Sequence, residues 1–398
     1  MVGEVLDLER AQSLVLARAT PLASERVQLA DAVGRVTAAP ATATVDLPPF
    51  ASSAMDGYAV RSADVPGVLV VVGEAAAGRP ADAPLGAGEA VAISTGGVVP
   101  TGADAVIPIE YVVQHDNTVE IAEPAAPGAN VRPRGGDVAA GAVVVPEGAR
   151  LGSAQLGALG AAGVEGVDCA RRPRVALLAT GSELVRPGTP LADGQIYESN
   201  SLMLAAALAS AGCDIELLPL VADDERAHRD ALARGLEADV LVTSGGVSVG
   251  PHDLVRSIEA ELGVEEIFWR VAIKPGKPVS FGVRDATLVF GLPGNPVSSL
   301  VGCELFVKPA LRALQGEREP LPRFEAGVLA GGLRQNDARD EFVRARSRLD
   351  QNGTVLEPLS GQESHMIVRA AAADALVHVP RGDGELAVGT AVRWLRLA

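Results

Sequence analysis

Lys274 and Lys277 flank Pro275-Gly276 in the run AIKPGKPVSFG. A turn of that kind holds both ammonium groups near one point, and in an acidic chain two enforced cationic neighbours call for an anion or for carboxylates close by. Solvated turn lysines are the plainer reading, but apolar residues crowd both sides. Downstream, FGLPGNPVSSL sets Pro293, Gly294, Asn295 and Pro296 ahead of Ser298 and Ser299 at a helix start, where free N–H groups also favour an anion. A third segment, VTSGGVSVGPHDLV, leaves a strand through Ser244, Gly245 and Gly246 and continues to Ser248, Gly250 and Asp253. It is a nest of backbone donors with a carboxylate at its rim, sharing the physics of phosphate loops without a GKS or GKT signature.

Four further segments carry polar groups in unusual density. LLATGSELV ends a strand in Thr180, Gly181 and Ser182 and then places Glu183, a hydroxyl pair and a carboxylate, at a strand end. Glu198, Ser199 and Asn200 read best as caps of the next helix. In PPFASSAMDGYAV, Asp56 is either a turn residue capping its own backbone or a ligand, with Ser52 and Ser53 as polar company. In AISTGGVVPTGADAV, Thr95 is either a turn hydroxyl or a ligand contact, while the turn ending at Asp104 sets the register of the next strand. VRPRGGDV gathers Arg132, Arg134 and Asp137 around two glycines, as a surface loop or as part of a site. The five histidines have no partners at metal-ligand spacing, and no HExxH, spaced GxSxG triad or GxGxxG occurs, which argues against structural zinc and triad hydrolysis.

The elements that must position these residues follow from periodicity. Residues 174–180, 215–221 and 239–246 are apolar runs that end in turns, alternating with helical patterns over 200–212 and 225–236. Such alternation predicts a parallel sheet with right-handed crossovers, and ligands then belong at the carboxyl ends of its strands. LVFGLPGNPVSSLVGCELFVKPAL adds a strand, a turn and a buried helix. Upstream, Val5, Leu8, Ala11, Leu14, Val15 and Ala19 keep helical spacing, residues 43–138 read as short Val-rich strands between Gly and Pro turns, and 149–162 return to helical spacing. The β-rich piece thus reads as an insertion between two helical halves. Residues 317–323 form a Pro-rich charged linker, and the last stretch returns to short strands.

Composition bounds the chemistry. The 398-residue chain is 48% hydrophobic and 21% charged, a globular balance, with a formal net charge of -16. That charge makes nucleic acid an unsuitable partner. Any anionic substrate must be held by a few local cations, by backbone N–H groups or by a bridging divalent ion. Aromatics are only 3%, so the cores are built from Val, Leu, Ile and Ala. Cys169, Cys213 and Cys303 form no pairing framework, which fits a reducing compartment. No run approaches the ~20 apolar residues that span a bilayer, and the N-terminus does not read as a signal peptide. The expectation is a soluble cytoplasmic protein.

In order along the chain, SAMDGYAV, STGGVVPTGADAVIPIE, RPRGGDV, ATGSELVRPG with GQIYESNS, SGGVSVG with Asp253, IKPGKPVSFG and GLPGNPVSS together resemble the MoeA family of molybdenum insertases, similar also to the insertase domains of gephyrin and the plant Cnx proteins. The resemblance spans about residues 5–398. It implies an α/β multidomain fold: a discontinuous helical domain (1–42 and 139–171), an inserted β-rich domain (43–138), a central parallel α/β sandwich related to the molybdopterin adenylyltransferase fold (172–317) and a C-terminal β domain (318–398). It further implies an elongated homodimer whose active cleft lies between the central domain of one subunit and the β domain of the other. The implied substrates are adenylylated molybdopterin and molybdate, with AMP released; the molybdopterin adenylyltransferase is a candidate partner, and the sequence leaves open which partner delivers the pterin.

Carried over residue by residue, the resemblance assigns catalytic roles to Asp56, Thr95, Asp137, Glu183, Asp253, Lys274 and Lys277. It assigns Mg²⁺ to Asp56, Glu183 and Asp253. Ser244, Gly245, Gly246 and Ser248 would cradle phosphates, while the two lysines, with Pro293 and Pro296 as wall, would hold molybdate. Arg344 and Ser364 would close on that oxyanion from the C-terminal domain. Two departures are visible: Ser182 stands where the family often has Asp, and Pro251-His252 stands where an acidic residue is common. Alternative readings are a tungstate-inserting or pterin-adenylylating relative, and a non-catalytic scaffold of the same fold.

Overall fold

Uninterrupted apolar runs bury both faces of a strand, and helices between them supply the crossovers that parallel pairing requires. The computed structural model describes residues 5–221, 224–246, 254–351 and 353–397. The chain divides into two compact units, one made of Met1–Glu25, Gly34–Ala38 and Cys169–Ala398, the other of Arg26–Val33 and Ala39–Asp168.

The larger unit contains strands β1 (Arg174–Ala179), β2 (Asp214–Leu217), β3 (Val240–Ser244), β4 (Glu265–Phe268), β5 (Ser280–Arg284) and β6 (Thr287–Leu292), with helices α1 (Asn200–Ala209), α2 (Glu225–Gly235), α3 (Leu254–Glu261) and α4 (Pro296–Gly302). The order across the sheet is β2-β1-β3-β6-β5-β4. Pairs β2–β1, β1–β3 and β3–β6 are parallel, as the alternation predicts. The edge is different: β5 runs antiparallel to β6 and β4 antiparallel to β5. The sheet is therefore mixed rather than wholly parallel. The cause is local, because only Asp285 and Ala286 separate β5 from β6, a link too short for a crossover, and Asp285 takes a φ of 53° in that turn.

Side chains of the parallel strands alternate between two cores. Val175, Leu177, Val242 and Phe290 enter one, together with Leu8, Ala11 and Val15 of the helix Leu8–Leu16. Ala176, Leu178, Leu241 and Val289 enter the other. Burial on both faces explains why these strands read as continuous apolar runs. Cys213 and Cys303 are part of the first core, and all three cysteines are buried and outside any disulfide. Burial pushes the Cys213 thiol up to about 11, and raises that of Cys303 as well.

In the C-terminal part of the same unit, Asp340–Asp350 pairs with Gly353–Pro358, which pairs with Glu325–Leu329, then Ala391–Arg396, then Ala375–Val379, which returns to Asp340–Asp350. The five strands close into a barrel, which removes exposed edges. A short sixth strand, Ile273–Lys274, lies parallel to the start of Asp340–Asp350 and sets Lys274 opposite Glu341.

The smaller unit holds a six-stranded sheet in the order Ala105–Pro108, Gly57–Val60, Glu89–Ile93, Gly67–Ala75, Thr118–Ile121, Val112–His115. The helix Ser153–Ala161 falls where helical spacing resumes in the sequence. Among the described residues, no helix is long and apolar enough to cross a membrane.

Candidate active site

Three loops leave one edge of the mixed sheet because register aligns the strands that feed them. Ala179 of β1 is opposite Ser244 of β3, and Ser244 is opposite Leu292 of β6. Residues 180–183, 245–246 and 293–296 therefore emerge side by side at the carboxyl ends of parallel strands, where such sheets bind ligands. All of these but Ser182 line a cavity of about 1010 Å³, which also takes in Lys277, Arg270, Trp269, His228 and His365.

The glycines of this edge are fixed by close approach. Gly245 has a φ of 95°, and a Cβ there would sit 2.6 Å from the Thr180 carbonyl oxygen. At Gly246 (φ 66°) a Cβ would meet a methyl of Val255 at 2.4 Å. Both positions lie in the left-handed region that favours glycine. The Gly245 N–H donates to the Leu292 carbonyl at 3.1 Å, so this donor of the expected nest is engaged in joining the β3 turn to β6. The Asn200 side chain completes the join: its amide nitrogen donates to the Ser244 hydroxyl and to the Gly294 carbonyl, each at 2.8 Å. Asn200 reads in the sequence as a helix cap. Here it ties two cavity loops together.

The segment Pro293 to Ser299 also differs from its sequence reading. The first free amide of α4, that of Val297, donates to the Ser364 carbonyl at 3.1 Å, and the Ser299 hydroxyl donates to the Pro293 carbonyl. Ser298 and Ser299 are buried. Pro293 and Pro296 line the cavity as expected of a wall. The helix start, however, is capped by protein.

The lysine turn separates its two charges. Lys277 lines the cavity, while the Lys274 ammonium is paired with the Glu341 carboxylate, as their opposed register dictates. Lys274 is not among the cavity-lining residues. Arg344 does not face the cavity either: it is 1% exposed, and its guanidinium donates to Gln362 Oε1 and to the carbonyls of Gly361, Glu363 and Met366. Burial lowers its pKa from the ordinary guanidinium value. The fork is spent on main-chain oxygens, so Arg344 holds the loop that carries Ser364 and His365 instead of reaching an oxyanion itself. Of that loop, His365 and Ile367 border the cavity.

Glu183 and Glu198 are the carboxylates of the cavity wall. Glu198 accepts the Ser201 amide at 2.8 Å at the start of α1. The described residues contain no group of three His, Cys, Asp or Glu side chains placed to hold a metal. Ser248 and Asp253, expected at the phosphate turn and at the metal, lie outside the described residues.

The smaller unit brings its own three motifs together. Val131–Arg132 pairs antiparallel with Ser52–Ser53. The Ser53 amide donates to Gly97, and the Gly96 amide donates back to Ser53. Asp56 Oδ1 accepts the Thr95 amide at 2.6 Å and the Thr95 hydroxyl at 2.9 Å. These two bonds, the backbone one first, hold the exposed Asp56 carboxyl below its usual range. Asp137 is exposed, and its amide donates to Leu47. Asp104 accepts both the amide and the hydroxyl of Ser62.

Sequence reasoning passed over Asn200 as a cavity tie, and it missed His228, Trp269 and Arg270. Trp269 is one of two tryptophans in the chain and directly precedes Arg270, a scarcity that was the one available signal. His228 carries none, since it sits on α2 as an ordinary inward helix residue.

A mixed sheet with a cavity at its parallel edge and a closed barrel in the same unit, together with a separate β-rich unit, defines a multidomain α/β protein with a cavity at strand ends. The family profile "MoeA N-terminal region (domain I and II)" matches residues 6–163, "Probable molybdopterin binding domain" matches 176–313, and "MoeA C-terminal region (domain IV)" matches 326–397. The chain is 35% identical to the molybdopterin molybdenumtransferase of Haemophilus influenzae over 98% of both chains. It is 39% identical to molybdopterin molybdenumtransferase 2 of Mycobacterium tuberculosis over 92% of this chain and 93% of that one. A crystal structure of a molybdopterin biosynthesis MoeA protein from Pyrococcus horikoshii superposes with a TM-score of 0.82 at 33% identity, over 99% of each chain. The chain belongs to the MoeA family of molybdopterin molybdenumtransferases, enzymes of molybdenum cofactor biosynthesis.

Proposed function

We propose that this enzyme inserts molybdate into adenylylated molybdopterin with Mg²⁺-dependent release of AMP. The observation that carries the reading is one cavity at the parallel strand ends, bordered by residues 244–246, Lys277, Pro293 and Pro296. Lys277 would hold the molybdate dianion against the proline wall, and the turn at Ser244, Gly245 and Gly246 would bound the phosphates. Hydrolysis of the phosphoanhydride then frees AMP, while the two dithiol sulfurs bind molybdenum and their two protons leave with one molybdate oxygen as water.

Oxygen donors suit Mg²⁺, which is commonly held by one or two carboxylates together with substrate phosphates and water. Glu183, on the cavity wall, is the described residue that would hold it, and the ion when bound would neutralise phosphate charge. Asp253 is kept in the same role. Roles for Asp56, Thr95 and Asp137, which lie in the other unit, and for Lys274 and Ser364 belong to the proposal and are tested one substitution at a time. So do the central domain's kinship with the pterin adenylyltransferase fold, the homodimer, the cytoplasmic setting and delivery of the pterin by the adenylyltransferase.

The test is AMP release from adenylylated molybdopterin. Release should require molybdate and Mg²⁺ together and consume no ATP. Release with tungstate but not molybdate would change the assignment of the metal, and ATP consumption would point to the adenylylating relative.

A further inference from the structure

The cavity holds a cation that the lysine turn does not account for. The Val271 amide donates to the Lys277 carbonyl at 3.0 Å, closing the intervening loop at its neck. Arg270 and Lys277 therefore stand on the two sides of one closure, and both line the cavity. At the far end of the loop, Lys274 is neutralised by Glu341. The Arg270 guanidinium lies 4.0 Å from the Trp269 ring centroid, and so does that of Arg256. Arg256 is forked onto Glu266. Neither Arg270 nor Lys277 has a carboxylate partner among the described residues, in a chain of net charge -16.

Lys277 is exposed and Arg270 partly exposed, so water solvates both while the cavity is open; two cations lining one cavity favour an anion that can contact both. Stacking on an indole uses the face of a guanidinium and leaves its N–H edge for hydrogen bonds. We propose that Arg270, held over the Trp269 ring and sharing the cavity with Lys277 across the loop closure, is the second cation of a clamp for one tetrahedral oxyanion. This deepens the proposed function, on which it rests: the oxyanion is either molybdate or a phosphate of the pterin substrate, and Arg270 supplies a planar pair of donors that Lys274 does not.

The experiment titrates the full-length protein with molybdate alone and with AMP alone, by calorimetry, in the wild type, Arg270→Gln, Arg270→Lys, Lys277→Gln and the double Gln variant. Arg270→Gln should weaken one of the two titrants about tenfold or more, since a charge-assisted hydrogen bond is lost. The titrant that weakens identifies the source. Arg270→Lys should recover only part of the affinity, because the charge returns without the fork. The double variant should lose less than the product of the two single losses, as expected when both cations touch one anion. Unfolding temperatures within a degree or two of wild type separate lost binding from lost folding. Unchanged affinity for both titrants in Arg270→Gln, or losses that multiply in the double variant, overturns the clamp. If wild-type protein fails to release AMP in the insertion assay while Arg270→Gln still loses anion affinity, the proposed function fails and the clamp stands.

Discussion

The strand-end cavity and the Asp56–Thr95 cluster of the smaller unit are equally dense in polar motif residues, yet they differ in what those residues touch. In the smaller unit three carboxylates accept from amides and side chains of the same unit: Asp56 from Thr95, Asp104 from Ser62, and Asp46 from the Ala140 amide and the Arg134 guanidinium. At the cavity the polar atoms that build the walls are also satisfied, as with Asn200, Ser244 and Ser299. Two cations, however, are left without carboxylates among the described residues. A buried or crowded polar group normally finds a partner inside its own fold. Lys277 is exposed and Arg270 partly exposed, so water can serve both until an anion takes its place. On the proposed function, the contrast separates residues that shape the cavity from residues that would grip what enters it.

The largest expected effect tests the gripping side. Lys277→Ala should lower the rate of AMP release by about 100-fold or more, because a charged contact to the substrate is removed, with an unfolding temperature close to wild type. A rate within a few-fold of wild type would remove Lys277 from that side of the comparison.

Next comes a residue that shapes the cavity. Gly245→Ala forces a Cβ to 2.6 Å from the Thr180 carbonyl oxygen at a φ of 95°, a strain of about 1–3 kcal/mol. Both thermal stability and AMP release should fall, whereas Lys277→Ala moves only the second. Equal unfolding midpoints in urea for Gly245→Ala and wild type would mean that the turn relaxes freely.

Smaller effects belong to the satisfied carboxylates. Asp56 and Asp104 have folded pKa values below the ordinary range, chiefly through backbone amide bonds from Thr95 and Ser62. A carboxyl whose pKa is depressed on folding stabilises above its unfolded value of about 3.9, and that stability is lost as pH falls through the folded value. The smaller unit should therefore weaken on acidification below about pH 4. Thr95→Val, which removes the hydroxyl bond and keeps the amide, should raise the Asp56 pKa and flatten that decline, as read by carboxyl NMR titration. Ser62→Ala should do the same at Asp104, with the smallest change of the series. No upward movement of either carboxyl would show that the hydroxyls contribute nothing.

Much of this architecture is legible in residue order. The apolar runs over 174–180 and 239–246 become β1 and β3, and the Gly-rich exits, which read as the ligand edge, do border the cavity. The antiparallel edge was hidden because KPGKPVSFG reads as a lysine turn, while pairing is dictated by the two-residue link at Asp285 and Ala286. The family resemblance assigns Arg344 to an oxyanion, and nothing in the sequence shows the four acceptors that take up its guanidinium in the fold.

By itself, the sequence determined the strand–helix alternation, the glycine turns and the family motifs, all of which depend on neighbours close along the chain. Only the tertiary structure decided which cations are spent and which remain. Lys274 meets Glu341 sixty-seven residues away, through strand register, and Arg344 meets carbonyls 17 to 22 residues away across a loop. A charge is neutralised by whatever lies within a few ångströms, and for these groups that proximity is created by the closed barrel and the sheet edge.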